Sequence, residues 1–98
     1  MPVWAYYLDE SRLVGDYDFN YTINELIGMA ISEAERHGLK PTTVCHLKLG
    51  NDIIIKVRSE DGMALKLIKA KDPIEALKRF YENEEVMKCM PMQQTQLE

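Results

Sequence analysis

The sequence has no apolar run near the roughly 20 residues a helix needs to cross a bilayer, so a transmembrane helix is excluded. No basic region leads into an apolar stretch at the N-terminus, so no secretory signal is expected. Cysteine is scarce: Cys45 and Cys89, without an export signal, read as reduced thiols in a cytoplasmic protein, Cys45 buried and Cys89 accessible. Positive charge is not in excess, and a formal net charge of −4 counts against a generic nucleic-acid coat. Repeats, low-complexity blocks and linkers are also missing. With 98 residues this implies one domain over residues 1–90 and a flexible tail over residues 91–98, where Leu97-Glu98 resembles a cloning scar.

Several chemistries have no residues to carry them. None of the five glycines lies in a GxGxxG or GxxxxGK pattern, so no phosphate-cradling loop is expected. His37, Cys45, His46 and Cys89 are the metal-ligand types to weigh. Cys45 and His46 are adjacent in an expected strand and point to opposite faces, and no C-x-x-C or H-x-x-x-H pair exists. Neither metal nor cofactor is expected. Ser11, Ser32 and Ser59 lack a G-x-S-x-G elbow. Asp16-x-Asp18-x-Asn20 opens like a calcium loop but continues with Tyr21 where glycine belongs and Ile27 where glutamate belongs. Asp16 and Asp18 on one strand face could exchange protons with a substrate. Nothing beside them in sequence supplies a nucleophile or electrophile, which leaves a small enzyme the least favoured reading.

What is present describes an α+β domain. From Val3 to Leu8 the aromatic and apolar residues predict a strand, Asp9-Glu10-Ser11 a turn, and the alternation from Leu13 to Phe19 a second strand weakened or bulged at Gly15. Thr22-Ile23-Asn24-Glu25 forms a capping box opening a helix from Ile23 to His37, closed by Gly38 and Pro41. Within it, Gly28 reads as a point of close packing against the sheet. Strands are predicted at Thr43 to Leu49, Ile53 to Arg58 and Met63 to Ala70, joined by short turns at Gly50-Asn51 and Glu60-Asp61-Gly62. Asp72-Pro73 opens a last helix whose buried stripe is Ile74, Leu77, Phe80 and Tyr81. Glu84 to Met90 fits either a helix extension or a short edge strand. The order is β-β-α-β-β-β-α, an antiparallel sheet with two helices packed on one face. One core is expected from Ile23, Leu26, Ile27, Ala30, Ala34, Leu47, Ile53, Ile55, Val57, Leu65, Leu67, Leu77 and Phe80.

Residues 22–83 resemble double-stranded-RNA-binding domains in their α-β-β-β-α element order. The basic Lys-Lys-x-Ala-Lys signature of that family is matched only weakly, by Lys69-Ala70-Lys71-Asp72-Pro73. Element order shared between unrelated modules carries no function by itself.

Charge placement is the informative signal. Arg36 through Arg79 holds ten Lys and Arg against five Asp and Glu, a net of +5; the rest holds two against eleven, a net of −9, and together they recover −4. With Cys45, Leu47, Leu49, Ile53, Ile55, Val57, Met63, Leu65 and Leu67 facing the helices, the outer face carries His46, Lys48, Lys56, Arg58 and Lys66 among Val44, Ile54, Ala64 and Ile68. Lysines on outer sheet faces are ordinary solubility devices. Here the interspersed acids are missing and apolar side chains would be exposed, which reads as a contact surface. The acidic N-terminal hairpin could cover it from within. Otherwise the expectation is a non-enzymatic binding or regulatory module acting on a protein partner or on itself. A nucleic-acid-binding regulator is the alternative, and no membrane is involved.

Overall fold

A computed structural model describes residues 1–15 and 20–92. Strands β1 (Val3–Tyr7), β2 (Glu10–Gly15), β3 (Pro41–Leu49), β4 (Asp52–Ser59), β5 (Ala64–Lys69) and β6 (Lys88–Pro91) form one antiparallel sheet in the order β2-β1-β5-β4-β3-β6. Helix α1 (Ile23–Arg36) follows β2, and α2 (Pro73–Tyr81) follows β5. The α+β class and the element order are those the sequence predicts. Among the described residues no helix is long and apolar enough to cross a membrane.

Local chemistry explains the helix ends. Thr22 Oγ1 accepts from the Glu25 amide and the Glu25 carboxylate accepts from the Thr22 amide, so the capping box is complete. Gly38 takes a φ of 81° past the end of α1, where a side chain would be strained. Asp72 caps α2 ahead of Pro73. At Gly15 the pairing with Val3 shifts register, and a Cβ there would lie 3.1 Å from that of Val3. The bulge suspected at this glycine is therefore real.

The first hairpin departs from expectation. β2 begins at Glu10, because Leu8 and Asp9 form a two-residue turn with φ of 51° and 65°. That turn carries no glycine, so it leaves little trace in the sequence. Phe19, Asp16 and Asp18 lie outside the described residues.

The helices lie on opposite faces of the sheet, not on one. Leu26, Ala30 and Ala34 of α1 pack with Val3, Ala5, Val44, Ile53, Ile55, Val57, Leu65 and Leu67. Ala76 and Phe80 of α2 pack with Leu47, Ile54, Ile68 and Ala70. The expected single core is thus two cores, one on each side. The cause is visible in the central strands: Ile53, Ile54 and Ile55 are consecutive, as are Leu67 and Ile68, and all are buried. Continuous apolar runs mark strands covered on both faces.

A register error accompanies that correction. Gly50-Asn51 is a two-residue turn, so Leu49 pairs with Asp52, Leu47 with Ile54 and Cys45 with Lys56. Val44, His46 and Lys48 therefore share the α1 face with Val57, Ile55 and Ile53. The β3 side chains are inverted relative to the expectation. Gly28 corrects a further point, since it is exposed and nothing lies within 4 Å of a Cβ built there. It does not mediate close packing.

The C-terminal segment resolves to a short 3-10 turn at Glu84–Val86 and the edge strand β6. Pro91 belongs to β6, and Met92 is buried in the α1-side core with its amide donating to the Thr42 carbonyl at 2.8 Å. Pro91 and Met92, the first two residues of the expected tail, thus make strand and core contacts, and residues 93–98 lie outside the described residues. Cys89 is the cross-strand partner of Cys45, and a disulfide joins them. This overturns the expectation of reduced thiols, because β6 returns to the sheet in a register that sets the two side chains on the same face.

On the α1 face, Glu33 is the buried ionic anchor. Arg12 of β2 donates to it through Nε at 3.0 Å and Nη2 at 2.7 Å, Arg36 donates at 3.2 Å, and His37 Nε2 lies 3.9 Å away. The Arg12 hydrogen bonds foremost hold its carboxyl well below the usual range, at about 2, against the opposing effect of burial. A depressed carboxylate pKa contributes stability that is full above the unfolded value near 4.5 and is lost as pH falls toward 2. Because both arginines are half exposed, solvent screening reduces the contribution to about 1–2 kcal/mol. Glu33→Gln is expected to remove that acid-dependent loss, as read from urea midpoints at pH 7, 4 and 2.5. An unchanged acid profile would show that the Arg12 pairing contributes nothing.

Candidate functional site

The cations on the α2 side come together because β4 and β5 pair in direct register. Lys56 is the cross-strand partner of Lys66 and Arg58 that of Ala64, so Lys56, Arg58 and Lys66 share one face. Same-face neighbours on adjacent strands lie about 5 Å apart, and like charges there repel. Two features relieve this. Lys56 Nζ donates to Glu84 Oε2 at 2.8 Å, with the lysine side chain only 12% exposed. Lys66 Nζ lies 5.5 Å from the centre of the Tyr81 ring, a cation–π contact.

Glu84 is held below the usual carboxylate range, first by its hydrogen bond from Lys56 and then by the charges of Lys56, Lys66 and Arg58 against opposing desolvation. One carboxylate therefore faces three cations. The acidic N-terminal hairpin, which could have covered this face, instead adds its described strands β1 and β2 to the edge of the sheet. The cover comes from the turn after α2.

His46 and Lys48 are not part of this cluster. The β3 register puts them on the α1 side, where His46 pairs with Ile55 and Lys88. Lys48 borders a cleft of about 440 Å³ with Lys69, Thr22 and Ile23 at the start of α1. The carboxylates Asp16 and Asp18 of the enzyme reading lie outside the described residues. Among the described residues, no three His, Cys, Asp or Glu side chains group to hold a metal ion.

Beside the cations lies a cleft of about 290 Å³, bounded by Tyr6, Leu8, Asp9, Met63, Ala64, Lys66, Leu77 and Tyr81. The sequence reading missed this wall. It places Ile74 and Tyr81 in a buried stripe, yet they are 65% and 52% exposed, because α2 packs over β4 and β5 and, among the described residues, no helix covers β1 and β2 on that side. The available signal was the width of the stripe: Ile74, Leu77 and Tyr81 lie to one side of Ala76 and Phe80 around the helix. No family model, curated protein or solved structure matches the chain.

Proposed function

We propose that the chain is a small, non-enzymatic binding module that engages a protein partner through Arg58 and Lys66, beside Lys56, which Glu84 holds. The observation that carries this reading is the charge imbalance: three cations on neighbouring strands share a single carboxylate, beside the exposed Leu8 and Tyr81. Unneutralised charge next to apolar surface favours an acidic, partly apolar partner. A nucleic-acid ligand is the alternative, and it draws on Tyr6 and Tyr81 beside Lys66, since aromatic faces stack on bases. Against it stand Asp9 and Glu84 at the same surface, which repel phosphate.

Titration with polyglutamate and with a 20-base-pair RNA duplex separates the two. Polyglutamate is expected to bind and the duplex not, and Arg58→Glu with Lys66→Glu is expected to weaken polyglutamate at least tenfold with unchanged melting temperature. Duplex binding that falls by orders of magnitude between 50 and 200 mM salt would replace this reading with the alternative. The cytoplasmic location expected from the sequence rests on the missing export signal and the scarcity of cysteine, and a Cys45–Cys89 disulfide does not favour it.

A further inference from the structure

Helix α2 fills only part of its side of the sheet. Ala76 and Phe80 sit over Ile54 and Ile68, while Ile74, Leu77 and Tyr81 turn toward β1 and β2, and among the described residues no helix lies above those strands on this side. By register, Trp4, Tyr6 and Leu13 point to this same side, since Trp4 pairs with Ile68 and with Leu13, and Tyr6 pairs with Lys66. Leu8 and Leu13 are 61% and 50% exposed, whereas Trp4 and Tyr6 are half-buried and Trp4 Nε1 is buried, so the floor opens along its Leu8 and Leu13 margin.

The dimensions suit one kind of occupant. Two uncovered strands span about 10 Å, the diameter of one α-helix with its side chains. The nine residues of α2 provide a wall about 14 Å long, enough to flank a helix of two to three turns. Charge then selects the sign. Lys66 lies in the cleft and Lys78 is exposed on α2 next to Ile74 and Tyr81 around the helix, whereas Asp9 is the acid among the cleft residues.

We infer that the channel between α2 and the β1–β2 hairpin is a docking groove for an amphipathic helix with an acidic flank. The inference rests on the protein-binding reading above and names the partner's chemistry. Apolar residues at i, i+3 or i+4, and i+7 would enter between Tyr81, Leu77 and Ile74 on one side and Tyr6, Trp4 and Leu13 on the other. Flanking Asp or Glu would meet Lys66 and Lys78.

The test uses the full chain and three probes of equal length: a peptide with leucines at those spacings and glutamate flanks, the same leucines with lysine flanks, and polyglutamate. Binding is read from the emission of Trp4, the single tryptophan, with sedimentation as a second readout. The glutamate-flanked peptide is expected to bind at least tenfold more tightly than either of the others. Ile74→Glu, at an exposed position, is expected to abolish that advantage while the melting temperature stays within about 2 °C, as surface substitutions do. Equal binding of polyglutamate would overturn the groove and leave the charged-surface reading standing. Equal binding of the lysine-flanked peptide would overturn the charge selection. Self-association of the free protein, lost in Ile74→Glu, would assign the groove to a second copy of the chain and overturn the acidic-helix partner. Absence of binding by any probe would remove both this inference and the protein-binding reading.

Discussion

Phe80→Ala is expected to destabilise the protein by about 3–5 kcal/mol, the usual cost of emptying a buried phenylalanine site. Phe80 is fully enclosed by Leu47, Ile54, Ile68, Ala70 and Ala76, so little of the resulting cavity can be refilled. Urea unfolding read by circular dichroism measures the loss. A milder pair tests the two-sided architecture itself. Phe80→Leu and Ile55→Val act on opposite sides of the sheet. Their effects are expected to add within about 0.5 kcal/mol, as for sites without shared partners. A coupling above 1 kcal/mol, or a Phe80→Ala loss below about 0.5 kcal/mol, would contradict the placement of α2.

Local signals in the sequence carry most of the elements. The Thr22 box, the Asp72-Pro73 start and the turns at Gly50-Asn51 and Glu60–Gly62 each act over a few residues, and the elements they bound form where expected. The arrangement of helices about the sheet is a different matter. An alternating pattern implies one buried face, and Ile54, Ile68 and Val44 are anomalies under that assumption. In the structure all three are buried, Ile54 and Ile68 beneath α2 and Val44 beneath α1. The anomaly that suggested a contact surface was largely the signature of a second core.

The cation cluster was legible only in part, and the turn explains why. A two-residue hairpin ties Leu49 to Asp52 and therefore pairs odd positions of β3 with even positions of β4. Lys56, Arg58 and Lys66 depend on β4 and β5 alone, whose pairing keeps all three on one face, and they converge. His46 and Lys48 depend on β3 and separate from them. Glu84 and the ring of Tyr81 could not be placed from sequence, because their positions follow from where α2 ends over the sheet.

Reduction of the Cys45–Cys89 bond is expected to cost about as much as emptying the Phe80 site. The bond closes a loop of 44 residues spanning β4, β5 and α2. In the chain-entropy view such a loop corresponds to about 4 kcal/mol of constraint on the unfolded state. β6 is a four-residue edge strand whose side chains are exposed, and Met92 is its one deep anchor in the core. Without the bond, the ladder with β3 and the burial of Met92 are the described contacts that hold Lys88–Pro91 to the sheet. Cys45→Ala with Cys89→Ala is therefore expected to lower the urea midpoint by about 2 M, given slopes near 1–3 kcal/mol/M for small domains. Amide exchange in β6 should accelerate before the rest of the sheet opens, because short edge elements sit at the low end of local stability. Met92→Ala in the oxidised protein separates the two anchors: it should speed exchange in β6 with a much smaller drop in midpoint. Free-thiol titration of the denatured, unreduced chain should find no thiol. Recovery of two thiols, with a midpoint unmoved by reductant, would show that β6 is held by hydrogen bonds and Met92 alone.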